Sequence, residues 1–419
     1  MKSFFRYIIG TLLALKARSY LKRHRVQVIA VTGSVGKTST KEAIYKVLSS
    51  EFDVHSSQRS FNTEFGLSLG VLSEEESGFS SPVAWLKIMS RVFFGKKKSY
   101  KKIVLEMGAD KPGDIKKLVK IAPPRIAVVT AVRPVHLAEG QFSNLEAIAK
   151  EKGQLVRALP REGMAILNDD DEYVRKMQTP AGRFTYGVHD TAMLMASDIK
   201  TSARSLTFKA SYRGQTGDFS VPVIGEFQIY VLLPAIAVGL QLGMKLGECA
   251  SALSDFHLPP GRMNPIAGIN RCQIIDSSYN ASPATVETAL GVLAAIKASR
   301  RIAALGTMNE LGEMTFEAHL ETGKKAAQVA DLLVAVGTEA PAIKRGALEA
   351  GMKEENVFTF FDSGEAGNFL KDHLKPGDLV LVKGSQNKVR MEKLVKLIMK
   401  EPHKAGQLLC RQEAAWERI

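Results

Sequence analysis

The chain reads as an α/β protein: a central domain built on a mostly parallel sheet, followed by a second, Rossmann-like α/β domain. Three observations say so. From Val26 onward, short β-branched runs alternate with helix-length stretches, the pattern of strands joined by crossover helices. A glycine-bearing loop, VTGSVGKTST (31–40), stands between the first such strand and the first such helix. The alternation then halts at Pro259-Pro260-Gly261, a turn-forming punctuation, and starts afresh beyond it. With 419 residues, 45% of them hydrophobic, the chain is long enough for two or three cores. The expected division is a basic, apolar helix over 1–25, a central domain over 26–260, a C-terminal domain over 261–400 and a tail over 401–419.

In the central domain, VQVIAVTG is a buried strand and Lys37 to Ser50 the helix after it. KKIVLEMG (101–108) and RIAVVTAV from Arg125 are two more strands, SNLEAIAKEKGQLVRAL from Ser143 a helix, and GMAILN from Gly163 a strand. Residues 192–224 alternate as antiparallel hairpins do, with turn material from Arg213 to Gly217, and helical pattern resumes at Ile229. In the C-terminal domain the strands are IIDSS, RIAALG, DLLVAVG, NVFTFF and DLVLVKG. No GxGxxG fingerprint accompanies them, so dinucleotide binding is not supported.

The formal net charge of +14 favours anionic partners. No RNA-binding aromatic signature accompanies the basic run Lys96, Lys97, Lys98, Lys101 and Lys102, which argues against nucleic acid and for a solvated loop. Cys249, Cys272 and Cys410 form no CxxC pair, which excludes a disulfide framework or cysteine zinc site and fits a reducing cytosol. Lys2, Arg6, Lys16, Arg18, Lys22, Arg23 and Arg25 stand in the first 25 residues without one acid. They flank the apolar stretch YIIGTLLAL, too short to span a bilayer and poorly followed for signal cleavage. Two readings stand: a helix on the anionic inner face of the membrane, or a helix packed on its own protein.

VTGSVGKTST carries the chemistry. Gly33 and Gly36 let backbone N–H groups of Thr32, Ser34, Val35 and Ser39 curl around phosphate oxygens. Lys37 supplies a cation to the β- and γ-phosphates, Thr38 can hold Mg²⁺, and the following helix points its positive end at the same anion. Val31 stands where the general P-loop pattern has its first glycine, so the loop is shortened.

That shortened loop resembles the one in the Mur ligases, ATP-dependent amide ligases of cell-wall peptide synthesis. Further segments follow in the family's order: SFNTEFG (60–66), LEMGADKPGDI (105–115), VTAVRPVHLAEGQFS (129–143) and AKEKGQL (149–155). PPGRMNPI, IIDSSYNASP, LGTMNELGEMTFEAH and LVKGSQ continue it and are similar to the branch that adds D-alanyl-D-alanine.

The resemblance implies the following roles. A substrate carboxylate attacks ATP to give an acyl phosphate, which an amino acid or dipeptide amine then converts to an amide. Thr38, Glu106, His136 and Lys152 would serve the metal, with Lys152 carbamylated; Lys150, two residues away on another face, is the competing register. Lys37, His136 and Lys152 would be catalytic. Asn62, Phe227, Gln228, Arg262, Asp276, Tyr279 and Asn280 would approach the nucleotide, and Asn168 and Asp170 either join them or serve as ordinary turn residues. Asn309, Glu310, His319, Lys383 and Ser385 would face the peptide-bearing carboxylate or the incoming amine.

Two departures qualify the resemblance. GEFQIYV (225–231) replaces the family's adenine segment GxHNxxN, with Phe227, Gln228 and Val231 at the altered positions. The roughly 25 residues before the first strand are also too few for the family's uridine-nucleotide domain. A Mur-like ligase for another carboxylate and amino acid pair, or a non-catalytic nucleotide-binding scaffold, are the alternative readings.

Overall fold

The computed structural model describes residues 2–57, 63–73, 82–95, 99–134, 141–202, 204–309, 311–385, 389–413 and 416. The chain forms two compact units: Met1–Ile199 with Thr207–Val221 and Phe227–Phe256, and Lys200–Leu206 with Pro222–Glu226 and His257–Ile419.

The first unit runs α1 (Lys2–Arg23), β1 (Gln27–Thr32), α2 (Lys37–Ser49), β2 (Val54–Ser56), α3 (Glu64–Val71), α4 (Pro82–Phe94), β3 (Lys102–Glu106), α5 (Asp114–Ile121) and β4 (Ile126–Val129). It continues with α6 (Leu145–Arg157), β5 (Met164–Asn168), α7 (Glu172–Arg175), β6 (Gly182–Gly187), β7 (Leu194–Thr201), β8 (Leu206–Tyr212), β9 (Gln215–Val221), α8 (Ile229–Gln241) and α9 (Leu246–Leu253). Its nine strands order as β2-β3-β1-β4-β5-β6-β7-β8-β9. β1 pairs in parallel with β3 on one side and β4 on the other, and every residue of β4 is buried, as a sheet covered on both faces requires. The register sets Val31 beside Glu106 and Thr32 beside Val129, so the loop after β1 and the end of β3 leave the same edge. β8 and β9 are joined by Arg213 (φ 49°) and Gly214 (φ 76°), the paired positive φ of a two-residue hairpin turn.

The sequence reading passed over β2 and β6. β2 is three residues long, and β6 has a mixed burial pattern, so neither presents a periodic apolar run. Helix α1 settles on its own protein. Ile9, Leu13, Ala17, Tyr20 and Leu21 recur at helical spacing and are buried in the same core as Leu67, Leu69 and Leu105. Gly10 permits this approach: a Cβ there would lie 2.9 Å from the Phe65 ring. Among the described residues no helix is long and apolar enough to cross a membrane.

The second unit comprises β10 (Asn264–Ala267), β11 (Gln273–Ser277), α10 (Pro283–Ala295), β12 (Arg300–Gly306), α11 (Thr315–Ala327), β13 (Leu332–Val336) and α12 (Ala340–Glu349). After these come β14 (Val357–Phe360), α13 (Ser363–His373), β15 (Asp378–Lys383), α14 (Met391–Ile398) and the short α15 (Ala405–Leu408). The sheet order is β10-β11-β15-β12-β13-β14, with only β10 antiparallel among its pairings. Ser277 pairs with Lys383, which brings the carboxyl ends of β11 and β15 together.

Candidate active site

The turn after β1 is built for an anion. Gly33 has φ 147°, and a Cβ on it would lie 1.9 Å from Thr130 Oγ1; Gly36, at φ 79°, starts α2 without a side-chain cap. The first N–H groups of α2 are therefore not claimed by a capping side chain, and the positive end of the helix faces the loop. The end of β4 braces the loop from below. Ser34 N donates to the Ala131 carbonyl (2.7 Å), Thr130 Oγ1 to the Val35 carbonyl (2.6 Å), and Arg133 N to Ser34 Oγ (3.0 Å). Lys37 and Thr38 are half-buried, Thr32 and Ser39 buried, and Val35 exposed.

Thr38 Oγ1 donates to Glu106 Oε2 at 2.8 Å, so the hydroxyl on α2 and the carboxylate ending β3 meet. Glu106 is buried, at 5% exposure. Hydroxyl plus carboxylate is a hard-oxygen pair of the kind Mg²⁺ uses when phosphates and water complete its shell, so these residues fit that ion. Among the described residues no three His, Cys, Asp or Glu side chains gather into a fuller cluster.

Helix α6 supplies the next group. Lys152 is 1% exposed whereas Lys150 lies on the exposed face. Burial first, then the charge of Lys37, pulls the Lys152 ammonium down to about 7, against the opposing pull of Glu151 and Asp110. Glu151 anchors the helix: its carboxylate accepts from Gly113 N (2.9 Å) and Ile115 N (2.8 Å), capping the start of α5.

Other residues of this unit are structural in what they touch. Asn168 Nδ2 donates to the Thr130 carbonyl (2.9 Å). Asp170 accepts from Val188 N (2.7 Å) and the Tyr230 hydroxyl (3.0 Å). Gln228 and Val231 are buried and Phe227 half-buried at the start of α8.

In the second unit, Lys383 is buried at the end of β15, donates to the Asn280 carbonyl, and is pulled to about 7 by burial and by the Arg262 charge. Asp276, fully buried, is pushed up to about 6 by desolvation, and its Oδ2 has no hydrogen-bond partner among the described residues. Ser385 Oγ lies 3.4 Å from Asn280 Oδ1 and accepts from Asn309 N at 3.3 Å. The Arg262 guanidinium lies over the Tyr279 ring, 4.2 Å from its centre. Asn280, Lys383, Ser385 and Asn309 thus form one connected group. His319 stands behind it, wholly buried, with Nδ1 on the Thr315 carbonyl (2.6 Å) and Nε2 accepting from Met308 N (2.8 Å). Asn62, His136 and Glu310 lie outside the described residues.

Comparison with known proteins gives this geometry a lineage. Residues 31–239 match the Mur ligase middle domain, and residues 261–386 match the Mur ligase, glutamate ligase domain. The UDP-N-acetylmuramoyl-tripeptide–D-alanyl-D-alanine ligase of Mycobacterium leprae is 31% identical over 86% of this chain and 71% of its own length. The chain belongs to the Mur ligase family. The Bacillus subtilis ligase of the same name is 28% identical, over 94% of this chain and 80% of its own. Among solved structures, MurF of Thermotoga maritima in complex with ADP superposes with a TM-score of 0.76 at 27% identity, covering 94% of this chain and 84% of that one.

As a Mur ligase the protein uses ATP to form a carbon–nitrogen bond. Sequence reasoning missed several groups around its loop. Thr130 and Arg133 brace it, and Glu151 holds the lysine helix; all three lie inside the segments VTAVRPVH and AKEKGQL, so adjacency was the available signal. Lys41 was also missed. It is wholly buried in α2, paired with Glu42 (2.9 Å), and donates to the Ser57 carbonyl, immediately before the segment carrying Asn62.

Proposed function

We propose that this Mur ligase joins D-alanyl-D-alanine to the tripeptide of a UDP-N-acetylmuramoyl precursor, with its chemistry centred on Lys37, Thr38, Glu106 and Lys152. The names of the relatives support the substrates. The observation that carries the chemistry is the 2.8 Å contact of Thr38 with Glu106 on the sheet edge where Lys37 and the low-pKa Lys152 act on each other.

A carboxylate oxygen of the tripeptide attacks the γ-phosphorus of ATP, and the bond to the ADP oxygen breaks. The amine of the dipeptide then attacks the acyl carbon, phosphate leaves with that carboxylate oxygen, and the amine proton passes to solvent. The loop N–H groups and Lys37 hold the phosphates in line and offset charge as it shifts to the leaving oxygen. Mg²⁺ bound at Thr38 and Glu106 would supply further neutralisation of the β- and γ-oxygens. An amine pulled to about 7 is about half free of its proton at neutral pH, and the neutral form is the one that attacks carbon dioxide. A carbamate on Lys152 would convert its repulsion by Lys37 into attraction. Arg262 and Tyr279 offer a cation and a ring for the nucleotide. The test is product formation from ATP, UDP-N-acetylmuramoyl-tripeptide and D-alanyl-D-alanine. Amide and ADP in equal amounts are expected; ADP with another amine only, or none with any pair, would overturn the assignment.

On α1, Ile8, Leu12 and Leu15 remain exposed (39%, 41% and 61%) at i, i+4, i+7, away from the buried stripe. Exposed Arg18, Lys22 and Arg23 flank that stripe. This surface suits the anionic cytoplasmic face of a membrane, where each basic residue contributes about 1 kcal/mol. Full-length protein should sediment with vesicles containing one-third phosphatidylglycerol and be released by salt. Leu12→Ser/Leu15→Ser should weaken this without unfolding the protein. Equal sedimentation of wild type with neutral vesicles, or none with either, would exclude it.

A further inference from the structure

The segment after α14 reads in the sequence as a plain tail, yet it returns into the body of the second unit. Leu409, Cys410 and Arg411 are buried there. The Arg411 guanidinium donates to the Ser278 carbonyl (3.2 Å), to the Tyr279 carbonyl and to Glu392 Oε2 (3.1 Å). Glu392, wholly buried, also receives Arg390, which in turn donates to the Trp416 carbonyl (2.7 Å). Arg411 sits at φ 56°, a left-handed conformation that a residue with a side chain adopts only at an energetic cost. The surrounding bonds hold it there.

The other end of the same peptide is fixed as well. Tyr279 N donates to the Gly261 carbonyl (3.1 Å), and a Cβ on Gly261 would lie 2.9 Å from Tyr279 N and 3.1 Å from Cys410 Sγ. Three strands of chain, at Gly261–Arg262, Ser278–Tyr279 and Cys410–Arg411, are therefore clamped together. With both its N–H and C=O fixed, Tyr279 can present its ring to Arg262 in only a narrow range of poses. The Arg411 guanidinium carbon lies over the same ring, 5.3 Å from its centre.

We propose that Arg411 is a positioning residue for nucleotide binding: it sets the Ser278–Tyr279 backbone and, through it, the Arg262–Tyr279 pair. The reading of Arg262 and Tyr279 as nucleotide contacts, given above, is its foundation. A guanidinium suits the task because its fixed planar fork reaches two carbonyls and a carboxylate at once, which a lysine ammonium on a flexible stem cannot reproduce. Arg411 lies beyond residue 386, where the match to the family model ends.

The test measures KM for ATP, kcat and KM for the amine substrate in full-length wild type, Arg411→Met, Arg411→Lys and Arg262→Ala. Arg411→Met should raise KM for ATP about tenfold, equivalent to ~1.4 kcal/mol, while kcat and KM for the amine change less than about threefold. Arg411→Lys, which keeps the charge beside Glu392, should recover only part of the ATP affinity. It also carries the test if Arg411→Met fails to fold by thermal melting. Added methylguanidinium should lower KM for ATP in the folded methionine variant and leave wild type unchanged. If Arg262→Ala raises KM for ATP but folded Arg411 variants do not, the clamp is wrong. If Arg262→Ala leaves KM for ATP unchanged, the nucleotide reading on which it rests is wrong and falls with it. A uniform fall in kcat with unaltered KM would show a merely structural role and overturn the proposal.

Discussion

In each unit of this Mur ligase burial pulls a lysine down to about 7: Lys152 on α6 and Lys383 at the end of β15. What surrounds them differs. Lys383 donates to the Asn280 carbonyl, is repelled by Arg262 and is attracted by Asp276, within a side-chain network on β11 and β15. Lys152 lies instead against the charge of Lys37, while the neighbouring carboxylate of Glu151 is committed to capping α5. The comparison teaches that equal pKa values carry different meanings. Lys383 is held within the contacts of its own unit, whereas Lys152, in the proposed function, is a reactive amine kept near a second cation at a cost to stability.

That cost has a sign. Both lysines have folded pKa values below the ordinary lysine value of 10.5, so the unfolded chain binds more protons between pH 7 and 10.5. Stability should therefore rise with pH through this window, and Lys152→Met should flatten the rise without lowering the melting temperature at pH 7. A melting temperature that falls on this substitution would make Lys152 structural and erase the contrast with Lys383.

Activity separates the regions more sharply. Lys37→Ala should lower turnover by on the order of 10³-fold with an unchanged melting temperature, because it removes the cation from the phosphates and nothing from a core. Near-normal ATP turnover would end the P-loop assignment. Lys152→Ala should cost on the order of 10²-fold and be partly restored by formate or acetate, which can occupy the space a carbamate would fill. Lys150→Ala, on the exposed face, should change little, and the reverse ranking would break the assignment of the helix face.

How much of this was legible beforehand follows from the range of the interactions. The P-loop was readable because its form is set by a contiguous stretch: strand, Gly33, Gly36, Lys37, helix. The sequence also set Lys150 and Lys152 on different faces of their helix, and the structure buries Lys152 and exposes Lys150. The bracing of Ser34 by Arg133, of Ser57 by Lys41 and of Ser278 by Arg411 was not, because each joins segments that are distant along the chain. Helix α1 shows the limit from the other side. Its basic, apolar composition suited either membrane or protein, and only packing revealed that one stripe is buried while a second stays exposed.

Smaller effects sharpen the picture. Glu106→Gln should raise the Mg²⁺ concentration needed for half-maximal activity about tenfold, since it removes one charge from a hard oxygen site. An unaltered requirement would reduce Glu106 to a strand-end acid bonded to Thr38. Ser34→Ala removes the hydroxyl that accepts from Arg133 N and donates to the Arg133 carbonyl (3.1 Å), and should raise KM for ATP by about threefold, the loss of roughly one hydrogen bond. An unchanged KM would mean that the Thr130 hydroxyl and the Ser34 N–H bond to Ala131 hold the loop without it.

In the proposed reaction the γ-phosphoryl group of ATP passes to a carboxylate before the amide forms. Acceptor peptide labelled with ¹⁸O in its reacting carboxylate tests it most directly. One labelled oxygen should appear in the released phosphate for each amide made, in wild type and in the slower turnover of Lys152→Ala alike. Amide formation accompanied by unlabelled phosphate would contradict the account.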